Sequence, residues 1–116
     1  MPKVPNFADA YASDWKLAGY LLALEHPDGG PKARFLASFG FLAANVNDLR
    51  LALFAHIAFF EASASHATHF GMIYEVTGRL QTPDRRNPVV KVVWMIDTGS
   101  HRPRLITLIP SEEPIR

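Results

Sequence analysis

The sequence predicts an α+β fold, about three N-terminal helices followed by a three- or four-stranded antiparallel β-meander, in a single domain over residues 1–116 with its core at about 13–110. Three observations carry that prediction. Apolar residues recur at helical spacing up to about residue 61 and take on β character after the small-residue stretch Ala62 to Thr68. The later apolar runs are joined by connections shorter than a dozen residues, which antiparallel neighbours allow and parallel ones do not. A chain of 116 residues, 48% hydrophobic and 20% charged, has the make-up of one globular core.

Pro2 and Pro5 predict an extended lead-in. The first helix is expected from Ser13 or Asp14, either a good N-cap, with Trp15, Ala18, Leu21, Leu22 and Leu24 forming its apolar face. The run Glu25-His26-Pro27-Asp28-Gly29-Gly30 ends it, and a second helix opens at Pro31, repeats Ala33, Phe35, Leu36 and Phe39, and closes at Gly40. A third helix, capped by Asn45 or Asn47, runs from Asp48 to about Glu61 and is apolar nearly all round, which predicts the most buried helix of the three. Strands are expected at 70–77, 89–96 and 104–109, separated by the turn-rich runs 82–88 and 97–103.

Composition and motifs exclude several classes of chemistry. Without cysteine there is no disulfide, thiolate zinc site, iron–sulfur cluster or cysteine nucleophile. No HExxH, P-loop, GxGxxG or GxSxG pattern occurs, and no cofactor is expected. The N-terminal residues lack the apolar core of a secretory signal, and the most apolar stretch, 49–60, is interrupted by Arg50 and His56 and falls short of the ~20 residues that span a bilayer. The expectation is a soluble, cytoplasmic protein with no membrane partner.

Chemistry is most concentrated between the first two helices. There His26, Gly29, Gly30, Lys32 and Arg34 surround a helix start, where amides and cations together suit a phosphate and a histidine can move a proton. A glycine-rich turn with solvated Lys32 and Arg34 explains the same residues without function. From Arg79 to Arg104 six basic residues, Arg79, Arg85, Arg86, Lys91, Arg102 and Arg104, stand against Asp84 and Asp97, a local excess of +4 on a chain whose net charge is +1. With Tyr74 and Trp94 interleaved, this strip suggests single-stranded RNA as a partner; core packing is the better account of Trp94. His56 reads as a core residue, and His66 with His69 lacks a third metal ligand, so no metal site is expected.

The runs 16–22, 26–35 and 39–41, followed by Gly71-Met72-Ile73-Tyr74-Glu75-Val76-Thr77-Gly78, Thr82-Pro83-Asp84, Asn87-Pro88, Val92-Val93-Trp94 and Pro103-Arg104-Leu105-Ile106-Thr107, resemble a bacterial small-domain family of unknown function. Its members occur alone beside another small gene and at the C-termini of large bacterial toxins. The order of elements also looks like the barnase/EndoU/colicin/RelE-like ribonuclease superfamily. The resemblance implies a metal-independent endoribonuclease toxin domain with a cognate small protein as partner, and it carries His26, Lys32, Arg104 and Thr107 forward as catalytic candidates. His26 would be the acid or base, Lys32 and Arg104 would stabilise phosphorane charge, and Thr107 would bond a phosphate oxygen. Gly29, Gly30, Arg34, Tyr74, Arg85 and Arg86 would bind RNA or phosphate. The third helix is more apolar than that family suggests, as Leu51, Leu53, Phe54, Phe59 and Phe60 show. This excess marks either a partner-binding face, as in the alternative of a non-catalytic antitoxin, immunity or adaptor protein, or simply a larger core, and it leaves the oligomeric state open. Binding of RNA or a phosphorylated small molecule without turnover is a third reading.

Overall fold

The computed structural model describes residues 2–111. A 3₁₀ turn at Phe7–Asp9 precedes helix α1 (Asp14–Lys16), which widens into a π turn over Leu17–Leu21. Helix α2 (Gly30–Ser38) and helix α3 (Val46–Phe59) follow, the latter led in by a 3₁₀ turn at Ala43–Asn45. Strands β1 (Ala64–Ala67), β2 (Gly71–Arg79), β3 (Val89–Asp97) and β4 (Pro103–Pro110) form one antiparallel sheet in the order β1-β2-β3-β4. The fold is the expected α+β arrangement with four strands.

The core lies between the helices and one face of this sheet. Val76, Val90, Val92, Trp94, Leu105 and Leu108 are buried against Leu17, Leu21, Leu36, Leu49, Leu53 and Ile57. Tyr11 extends the far edge: its amide donates to the Pro103 carbonyl at 2.9 Å and its carbonyl accepts the Leu105 amide at 3.0 Å, a one-residue parallel bridge on β4.

Several expectations need correction. Ser13 does cap α1, its Oγ accepting the Lys16 amide at 3.1 Å, but Leu17 joins Leu21 and Leu22 as the buried side while Trp15, Ala18 and Leu24 are exposed. The cause is the π turn, whose Leu22 amide reaches back five residues to Leu17 and shifts the apolar phase. Helix α3 is not buried all round. Leu49, Ala52, Leu53, His56 and Ile57 face inward, whereas Leu51 and Phe59 are 66% and 74% exposed. Asn45 takes its N-cap position without a side-chain cap bond. The stretch 64–67, expected only as small residues, pairs with β2 as an exposed edge strand.

His56 is buried as expected, its Nε2 donating to the Gly78 carbonyl at 3.1 Å, while Nδ1 has no hydrogen-bond partner among the described residues. Burial pushes its imidazole below the ordinary histidine value, with the Gly78 bond partly opposing. The unfolded chain therefore takes up a proton that the folded chain resists, and stability falls as pH drops through the ordinary value of about 6.5 toward the lower folded one. Urea midpoints measured at pH 7.5 and 5.5 should show this loss, and the His56→Gln protein, which cannot take up that proton, should show a flatter dependence.

Candidate functional site

The start of α1 is pinned by α3. Arg50 donates to the Ala12 carbonyl from Nε at 3.3 Å and Nη2 at 3.2 Å, and pairs with Asp14. Lys16 and Tyr20 follow four residues apart, and the Lys16 ammonium lies 4.9 Å from the centre of the Tyr20 ring. Lys32, from the first turn of α2, reaches the same phenol. Its Nζ donates to the Tyr20 hydroxyl at 2.9 Å and to Thr107 Oγ1 at 2.8 Å.

Thr107 owes its placement to a β-bulge. Val93 pairs with Thr107 and Trp94 with Leu105, so Ile106 is the extra residue in β4. Leu105 and Leu108 both remain on the buried side, and Arg104 and Thr107, three residues apart, share the other. Arg104 is held in turn by Asp97, donating from Nε and Nη2 to both carboxylate oxygens at 3.0 Å. These bonds hold the Asp97 carboxyl below its usual range and raise the guanidinium.

His26 meets Tyr20 edge-on, with ring centroids 5.1 Å apart. Its Nδ1 accepts the amides of Asp28 and Gly29, both at 3.0 Å, so the neutral ring carries its proton on Nε2. The Gly30 amide donates to the His26 carbonyl at 2.8 Å. The amides expected to cradle a phosphate are thus taken within the turn. Gly29 and Gly30 let α2 sit directly on the preceding segment: a Cβ at Gly29 would lie 2.2 Å from the Tyr20 carbonyl oxygen, and one at Gly30 2.8 Å from that of Leu24.

The electrostatics follow from this packing. Hydrogen bonds from Lys32 and then Thr107 favour the phenolate and hold Tyr20 below the ordinary tyrosine value. Burial pushes the Lys16 ammonium below the ordinary lysine value, and Arg104 and Lys32 add to the effect against an opposing pull from Tyr20. Among the described residues no carboxylate pairs with Lys16 or Lys32. The result, among the described residues, is a half-buried patch of positive charge without a paired carboxylate around an acidified phenol. Among the same residues no three His, Asp or Glu side chains come together as a metal's ligand set.

Residues 3–112 match the family described as Domain of unknown function (DUF6883), nearly the whole chain. The chain belongs to the DUF6883 family. No curated protein matches it. Among solved structures, a chain of the contact-dependent growth inhibition toxin–immunity protein complex from Klebsiella pneumoniae 342 is similar to this DUF6883 chain at a TM-score of 0.68. The two are 12% identical, and the likeness covers 92% of this chain and 97% of that one, so what they share is the fold.

Other predicted site residues of the DUF6883 chain lie elsewhere. Tyr74 sits opposite Trp94 in mid-sheet and packs on the core. Arg86 pairs with Asp84, lies 4.4 Å from the centre of the Phe39 ring and bonds the Ser38 carbonyl, which places it at the C-terminal end of α2, roughly 9 Å of helix from Lys32. Arg85 is exposed beside it with φ 66°, and Arg34 is exposed on α2. The basic strip is dispersed: Arg79 donates to the Asn87 carbonyl, Lys91 pairs with Glu75 at 3.2 Å, and Arg102 donates to the Asp9 carbonyl. Tyr20 and Lys16 are the residues that sequence reasoning missed. Their spacing of four, inside a helix otherwise read for its apolar face, was the available signal.

Proposed function

We propose that this DUF6883 chain is an RNA-cleaving domain of the toxin type, in which side chains alone, without a metal, move the protons. The observation that supports the reading is Lys32 Nζ donating to both the Tyr20 hydroxyl and Thr107 Oγ1 beside the half-buried Lys16 ammonium, an arrangement that suits a base, an acid and an anion seat in one patch. Tyr20 takes the proton of a ribose 2′-hydroxyl, and the 2′-oxygen attacks the adjacent phosphorus. The bond from phosphorus to the 5′-oxygen breaks, and Lys16 gives that oxygen its proton. The products are a 2′,3′-cyclic phosphate and a 5′-hydroxyl.

Lys32 and Thr107 hold the phosphate oxygens as charge builds on them. His26, with Nδ1 engaged by two amides, is a positioning residue here that keeps Tyr20 in place. Arg104 contributes its charge through the field at Lys16. Likeness to a chain of a toxin–immunity complex supports the setting. Incubating purified protein with mixed cellular RNA in EDTA should yield fragments ending in 2′,3′-cyclic phosphate, and intact RNA after incubation with folded protein would sink the proposal.

A second reading, an antitoxin or immunity protein, is favoured by the exposed Leu51 and Phe59 of α3, beside a groove of about 260 Å³ lined by Ala52, Phe59, Phe60 and Arg79. The same toxin–immunity likeness fits it. Association with a protein partner through this apolar face would be nearly insensitive to salt, whereas RNA binding at the lysine patch weakens steeply as salt rises.

A further inference from the structure

Trp15 is 64% exposed, one residue from Lys16 and on the same helical segment as Tyr20. Its indole lies over Gly19, where an added Cβ would come within 3.2 Å of Trp15 Cδ1, so the absence of a side chain at Gly19 provides its seat. The Lys16 ammonium lies 5.5 Å from the centre of the indole and 4.9 Å from that of Tyr20, so one cation neighbours both rings. Trp15 leaves a large aromatic face in water, and among the described residues no carboxylate pairs with the lysines beside it. A flat apolar ring beside a cation pair matches the two halves of a nucleotide, the base face and the phosphate.

We infer that Trp15 is a stacking platform for an unpaired nucleobase next to the phosphate held at Lys32. This rests on the RNA-cleaving reading and narrows its substrate class to single-stranded or looped RNA, because a base inside a duplex is already stacked and cannot lie on the indole. Trp94, fully buried, is the chain's other tryptophan and serves as an internal reference for fluorescence.

The test uses a 2′-O-methyl RNA oligonucleotide, which has no attacking hydroxyl and so reports binding without chemistry. The single strand should quench Trp15 emission on titration and the same sequence as a blunt duplex should not. Trp15→Ala should weaken single-strand binding about 10-fold, Trp15→Phe should recover most of it, and both should keep the salt slope of the original protein because no phosphate contact is removed. With natural RNA, Trp15→Ala should raise KM more than it lowers kcat. Unchanged emission at saturation, or equal affinity for the Trp15→Ala protein, would overturn the platform even if RNA is cleaved. Quenching with no cleavage of natural RNA would uphold the platform and sink the cleavage chemistry instead.

Discussion

Replacing Lys32 by Met should lower RNA cleavage about 10³-fold while leaving the thermal midpoint close to that of the original protein. The loss has two sources at one atom. Lys32 Nζ donates to the Tyr20 hydroxyl and to Thr107 Oγ1, so its removal takes away both a cation at the phosphate and the donor that favours the phenolate. The pH profile separates the two. With Tyr20 as base, activity rises with pH until the phenol is ionised, a point held below the ordinary tyrosine value by Lys32 first and Thr107 second. Without Lys32 that rising limb should move up toward the ordinary value, and phenolate absorbance should show one of the three tyrosines titrating later. Tyr20→Phe should lower the rate by about 10²–10⁴ and abolish the limb. A Lys32→Met protein with a reduced rate but an unmoved limb would remove Tyr20 from the role of base.

How much of this was legible depends on what each element encodes locally. Strands β2, β3 and β4 fall within about two residues of where their β-branched runs and flanking turns place them, because the pattern and the pairing demand the same residues. Strand β1 carries only Ala, Ser and His, and its strand state comes from pairing with β2, which no local pattern announces. The site divides the same way. Lys32 and His26 stand out by chemistry at a helix start, and Thr107 by the family resemblance. That they meet around Tyr20 depends on a π turn and a β-bulge, two single-residue irregularities that change which side chains share a face. Arg85 and Arg86 look like part of the same charge when counted along the chain, yet α2 separates them from Lys32 and Asp84 already satisfies Arg86.

Gly29→Ala should be the most damaging single-methyl change in the turn, costing on the order of 3 kcal/mol. The reason is contact, since its φ of −82° is open to any residue. An added Cβ would sit 2.2 Å from the Tyr20 carbonyl oxygen, which is backbone and cannot swing aside, so α2 must lift from the π turn. Gly30→Ala meets the Leu24 carbonyl oxygen at 2.8 Å and should cost less. Asp28→Ala, at an exposed position whose amide bond to His26 survives, should stay within about 0.5 kcal/mol. Thermal midpoints of the three variants give this ordering. The same displacement predicts a chemical consequence for whatever folded Gly29→Ala protein is recovered: as α2 lifts, Lys32 withdraws from the phenol and Tyr20 titrates nearer its ordinary value. A Gly29→Ala protein that is destabilised yet keeps its early-titrating tyrosine would show that Lys32 is placed independently of the glycine seat, and would uncouple the turn from the chemistry assigned to Tyr20.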